Sequence, residues 1–162
     1  MARLYPEHFP YSANPDDPEF EMFQVFRKLP QHYSVFYSRK FKGGPRSREE
    51  CEIDFIVFDG ARSLLCVEVK GGEIGYNGEE EAWYQNGKKM TKAPDRQASS
   101  GMRAVMDFLG TDCSDVNIGW ALCFPNCSLP AHCRMPSALP RDILLDEKSL
   151  LEPEVSLARV QD

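Results

Sequence analysis

The sequence predicts a mixed α/β sandwich, and three observations carry that prediction. Residues 52–58 and 64–70 are short runs rich in β-branched and aromatic residues, split by the polar stretch Asp59-Gly60-Ala61-Arg62-Ser63, and they read as paired strands. A capped stretch with helical spacing precedes them. A second helical stretch and a late apolar strand follow.

Taken in order, residues 1–15 are rich in proline and aromatics and suit an extended N-terminal arm. Asp17-Pro18 opens a helix, with Asp17 able to cap and Pro18 suited to the first helical position. Met22, Phe23, Phe26 and Leu29 form its apolar stripe, and Pro30 stops it. Residues 34–38 read as the first strand. A glycine-bearing loop carrying Arg39, Lys40, Lys42, Arg46 and Arg48 leads from there to the 52–58 and 64–70 pair. Residues 73–76 and 82–84 predict an edge hairpin joined through Asn77-Gly78 and an acidic turn. The helix from Pro94 to about Leu109 turns Ala98, Met102, Val105 and Leu109 inward and ends at Gly110. Residues 118–124 form a buried strand closed by Pro125. A proline-rich connection, a short strand at 143–145 and a helical start near Lys148, interrupted by Pro153, complete the chain. The main domain is expected to span residues 16–148, with 149–162 a tail or the start of a linker to a further domain.

Composition narrows the function classes. A chain of 162 residues with 42% hydrophobic and 11% aromatic content can bury a core and is not disordered. No run approaches a membrane span, and the start Met1-Ala2-Arg3-Leu4 is no signal peptide, so a cytoplasmic protein is expected. The formal net charge of −6 argues against a general polyanion binder. Two local basic stretches run the other way: the loop beginning at Arg39, and Lys88, Lys89, Lys92, Arg96 and Arg103. Each reads either as solvated charge or as a phosphate-tracking surface. Cys123, Cys127, His132 and Cys133 match no paired C-x-x-C pattern, so reduced thiols rather than a zinc site are expected.

The chemistry lies in the strand pair. If the polar stretch is a five-residue loop, Phe58 faces Leu64, and counting four residues on along each strand sets Asp54 opposite Glu68. Strand alternation then places Asp54, Glu68 and Lys70 on one face. Like charges set opposite one another are destabilising, more so among Ile53, Phe55, Val67 and Val69. A divalent cation would remove that cost, since hard cations are held by one or two carboxylates plus water and phosphate oxygens. Lys70, two residues beyond Glu68, can orient or polarise a water beside the cation. Glu19 lies at the N-terminal end of the first helix's apolar stripe; it is either a first-turn acid favoured by the helix dipole or a third carboxylate at the metal centre.

These residues carry a resemblance. Asp54 followed by Glu68-Val69-Lys70 resembles the PD-(D/E)xK nuclease signature, with Ile53 where the name has proline. The wider set resembles the nuclease-related domain (NERD), a branch of that superfamily: Glu19 on its helix, 52–58, Leu65-Cys66-Val67-Glu68-Val69-Lys70-Gly71-Gly72, Ala93-Pro94-Asp95-Arg96-Gln97-Ala98 and Phe124-Pro125. The resemblance runs from about Glu19 to about Lys148. It implies a restriction-endonuclease-like core, a mixed central sheet flanked by helices. It also implies a nuclease acting with magnesium or manganese, on DNA rather than RNA. Asp54, Glu68 and the Val69 carbonyl would be metal ligands, Lys70 would position the water, and Glu19 would serve a second metal or its water shell. Gln97, otherwise a polar residue near a helix start, becomes a site residue. Domains of this family are often found at the N-terminus of longer proteins, including ones carrying a helicase region, so a fused or partner helicase and a role in DNA processing or repair are expected. Two rivals remain: a catalytically weak nuclease-fold module that binds DNA or a partner protein, and a structural ion-pair cluster.

Overall fold

The computed structural model describes residues 1–42, 50–110, 114–128, 136, 139 and 143–161. The first helix, α1 (Pro18–Arg27), starts as its sequence dictates: Pro18 takes the first position and Asp17 Oδ1 accepts from Glu19 N–H at 2.9 Å. Met22, Phe23 and Phe26 are fully buried, each stabilising the fold by roughly 1.5–3 kcal/mol. They rest on a six-stranded sheet built from β1 (Arg3–Tyr5), β2 (Ser34–Lys42), β3 (Glu50–Phe58), β4 (Ser63–Val69), β8 (Asn117–Phe124) and β9 (Leu144–Asp146), in that spatial order. β2, β3 and β4 are antiparallel to one another, whereas β1 joins β2, β8 joins β4 and β9 joins β8 in parallel. The crossover from β4 to β8 runs through α2 (Pro94–Leu109).

The helices cover opposite faces. The α1 stripe packs with Val35, Tyr37, Phe55, Val57, Leu65 and Val67, while Val105 of α2 packs with Ile53, Ile56 and Cys66. Gly101 lets α2 approach closely, since a Cβ there would stand 2.9 Å from Ile53 Cγ1. The expected helix-flanked mixed sheet is therefore present.

Three details differ from the sequence reading. Residues 73–85 do not extend the main sheet as an edge hairpin. β5 (Ile74–Asn77), β6 (Ala82–Gln85) and β7 (Lys88–Lys89) form a separate three-stranded sheet, because the chain turns away at Gly72, whose φ is +78°. Arg39 and Lys40 are not in a loop but on β2, which continues to Lys42; Arg39 Nη2 donates to Tyr5 O at 2.9 Å. Arg46 and Arg48 lie outside the described residues. Finally, Pro153 does not interrupt a helix but opens one: α3 (Pro153–Gln161) follows a 3-10 turn at Ser149–Leu151, and its Leu157 is buried in the α1-side core.

Candidate active site

The five-residue loop closes as expected. Asp59 Oδ1 accepts from the N–H groups of Ala61, Arg62 and Ser63 at 2.8–3.0 Å, which fixes the connection. Phe58 pairs with Leu64 and Phe55 with Val67, so the next position in that register sets Asp54 against Glu68. The backbone ladder stops there. Val69 N–H donates instead to Asp54 Oδ2 at 2.9 Å, so a side chain replaces the strand as acceptor.

β2 also loses its pairing at this point. Tyr37 pairs with Phe55 and Arg39 with Ile53, but Ser38 makes no ladder pair with Asp54 and holds φ at +52°, a conformation uncommon for serine. Beyond the break the pleat changes sense: Ile53 and Ile56 pack on the same α2-side cluster, which strict alternation would forbid.

Asp54, Glu68, Lys70, Glu19 and Gln97 all line one cleft of about 1060 Å³ between the small sheet, β3 and the start of α2. Glu68 is buried, with 6% exposure, and Lys70 Nζ stands 3.3 Å from its Oε1. Among the described residues this is the one ion pair. Burial first, and then the neighbouring Asp54, push the Glu68 carboxyl up to about 8, with Lys70 working against them. Burial, Asp54 and Asp17 push Glu19 up to about 7. Burial also raises Asp54, opposed by the Val69 N–H and by Lys70. Asp54 thus accepts from the Val69 N–H, while Glu19 and Glu68 crowd it with like charge. Without a cation, burial and mutual repulsion favour the protonated forms of Glu19 and Glu68.

The donor set is all oxygen and carries more negative charge than one lysine offsets, which fits a hard divalent cation. Among the described residues no three His, Cys, Asp or Glu side chains converge as a complete cage. The fit is therefore to a carboxylate pair whose remaining ligands are backbone or water, as magnesium prefers. Gln97 sits in the first turn of α2, with its Oε1 buried and lacking a hydrogen-bond partner. Cys123 Sγ lies 3.4 Å from Met22 Sδ and Cys127 Sγ 3.7 Å from Ile74 O, both inside the core; His132 and Cys133 lie outside the described residues.

Some cleft residues escaped the sequence reading. Glu52, two residues before Asp54, lines the cleft and accepts from Ser38 Oγ at 2.9 Å; period-two spacing from Asp54 was the signal for it. Glu50, Glu80 and Glu81 add acidic lining, while Lys89, Lys92 and Arg96, already read from the sequence as part of a basic stretch, add basic lining. No local pattern ties the 80–96 segment to Asp54, so only the fold brings them together.

The family model described as NERD, a nuclease-related domain, matches residues 17–125, well over half of the chain. No curated protein and no solved structure matches. The six-stranded mixed sheet with helices on both faces is consistent with a restriction-endonuclease-like fold.

Proposed function

The chain belongs to the nuclease-related domain family, and from that premise we propose that it hydrolyses phosphodiester bonds of DNA with the help of magnesium or manganese. The observation that carries this reading is the carboxylate pair. Asp54 and Glu68 meet across two strands, Glu68 buried and Asp54 half-buried, with Lys70 as the nearby cation. Such a cluster is costly unless a cation completes it.

Asp54 and Glu68, with the Val69 carbonyl, would hold the cation. When bound, a divalent ion supplies Lewis acidity toward the scissile phosphate and lowers the pKa of water. Lys70 orients the attacking water and offsets phosphate charge. Glu19, with a carboxyl near neutrality, takes or returns a proton at its own oxygens or serves a second ion's water shell. The Gln97 amide holds a water or a phosphate oxygen. Lys89, Lys92 and Arg96 give the strand's phosphates a track along one wall of the cleft. DNA processing or repair, with strands delivered by a helicase, is the setting the family resemblance implies.

Purified protein should nick plasmid DNA with manganese or magnesium and stop when chelator is added. Asp54→Ala, Glu68→Ala and Lys70→Ala should each remove most of that activity while remaining folded. Equal rates for Lys70→Ala and wild type would refute the assigned mechanism. The rival, a binding module that grips nucleic acid without cutting, draws slight support from the net charge of −6, is opposed by the intact Asp54, Glu68 and Lys70, and predicts DNA retention with no product.

A further inference from the structure

We propose that Asn126 is a positioning residue for this site: its carboxamide ties the backbone leaving Lys70 to helix α1, and so sets where Lys70 stands relative to Glu19. The inference rests on the nuclease reading above. Lys70 and Glu19 come from different elements, and nothing in either element alone fixes their separation.

Immediately after Lys70 the chain runs through Gly71-Gly72, and every step is gripped. Lys70 N–H donates to Cys123 O at 3.0 Å, Gln85 Nε2 donates to Gly71 O at 2.8 Å, and Gly72 N–H donates to Asn126 Oδ1 at 3.0 Å. The other end of the same carboxamide reaches α1, where Asn126 Nδ2 donates to Glu21 Oε2 at 3.1 Å. Asn126 follows β8 by two residues, so one side chain joins the exits of two central strands to the helix that carries Glu19.

Gly71 brings the two elements together. A Cβ there would come within 2.7 Å of Pro18 Cγ and 3.1 Å of Asn126 Oδ1. Pro18 is the first residue of α1 and the immediate neighbour of Glu19. The backbone after Lys70 is thus pressed against the start of α1, and the Asn126 bridge holds the two in register. A carboxamide suits the post because it must accept from a backbone amide and donate to a carboxylate at once. Asn126 is exposed, so replacing it opens no core cavity.

The test measures DNA cleavage under manganese together with NMR of the Lys70 Cε and Glu19 amide signals. Asn126→Ala should fold normally, keep KM within about twofold, and lose kcat by ~10- to 100-fold, the scale of an ångström-level misplacement. Asn126→Asp keeps the acceptor for Gly72 N–H but sets a carboxylate against Glu21, and should also lose rate. Adding Glu21→Gln to Asn126→Asp reverses the polarity of that bond, since the new amide can donate, and should restore kcat. Wild-type rates in Asn126→Ala, or no rescue in the double variant, would overturn the proposal. If the wild-type chain itself cuts nothing with either metal, the nuclease reading fails, and the linkage is judged by NMR. Signals that move in Asn126→Ala and return in the double variant uphold it; signals that stay in place overturn it.

Discussion

Replacing Glu68 by glutamine should make the metal-free protein more stable at alkaline pH and leave it nearly unchanged in acid. In the folded chain, burial and the neighbouring Asp54 push the Glu68 carboxyl up to about 8. In the unfolded chain it titrates near the ordinary value of about 4.3. Below both values the group is protonated in either state and contributes no pH dependence. Between them the unfolded chain has released a proton that the folded chain still holds, so stability falls as pH rises. Above about 8 the loss is complete. At about 1.4 kcal/mol per unit, the full loss is at most on the order of 5 kcal/mol. Glutamine keeps the shape and cannot ionise, so it removes that slope. Glu19 adds a smaller fall of the same sign, ending near 7, which the variant retains. Urea denaturation at pH 5, 6.5 and 8 in chelator would measure this, and manganese at pH 8 should recover stability in wild type but not in Glu68→Gln. Parallel pH profiles for the two proteins would refute the reasoning, because Glu68 would then titrate alike folded and unfolded.

Replacing Lys89, Lys92 and Arg96 together should weaken DNA binding at all sequences and flatten the dependence of log K on log salt by roughly one unit for each phosphate no longer neutralised; an unchanged slope would make them plain surface charge. Gly101→Val should cost ~1–3 kcal/mol, read by thermal melting, because Ile53 Cγ1 already stands 2.9 Å from where a Cβ would sit. Leu157→Ala should cost ~2–5 kcal/mol, since Leu157 lies in the α1-side core; a cost near zero would mean that α3 does not pack there in solution.

What the sequence disclosed follows from interactions that are local. The cap at Asp17, the stop ahead of Pro30, the stripe on α1 and the inward residues Ala98 and Val105 of α2 all depend on neighbours within a turn or two. The Asp54–Glu68 match was readable because Asp59 closes its own loop, so counting residues was enough to give the register. What stayed hidden needs the whole fold. Nothing near Gly72 says whether the following hairpin extends the main sheet or forms its own; its positive φ decides that once Asn86 and Asn126 hold the adjoining amides. Pro153 looks like an interruption when read from Lys148, and like a helix start only when Leu157 has a core to enter. Asn126 carries no periodic signal, since a polar residue in a turn is ordinary until both partners are seen.

The irregularity at Asp54 follows from what the acid must reach. Glu68 alternates with Cys66 and so belongs to the α2 side of the sheet, whereas Glu19 comes from α1 on the other side. A residue in an unbroken strand addresses one face only. Asp54 meets both neighbours because the ladders to β2 and β4 each lapse at its position, with Ser38 held at φ +52° across from it. A non-glycine residue in that region costs on the order of 1–3 kcal/mol, and the missing strand pairing adds to it. The distortion sits beside well-packed residues: Phe55, Val57 and Val67, fully buried, anchor β3 and β4 on the α1-side core. The same residues that make the carboxylate cluster expensive by excluding water thus supply the energy that holds the bent strand in place. Softening that core, for example at Phe55, should therefore let Asp54 return to regular pairing and separate it from Glu19 before the sheet itself is lost.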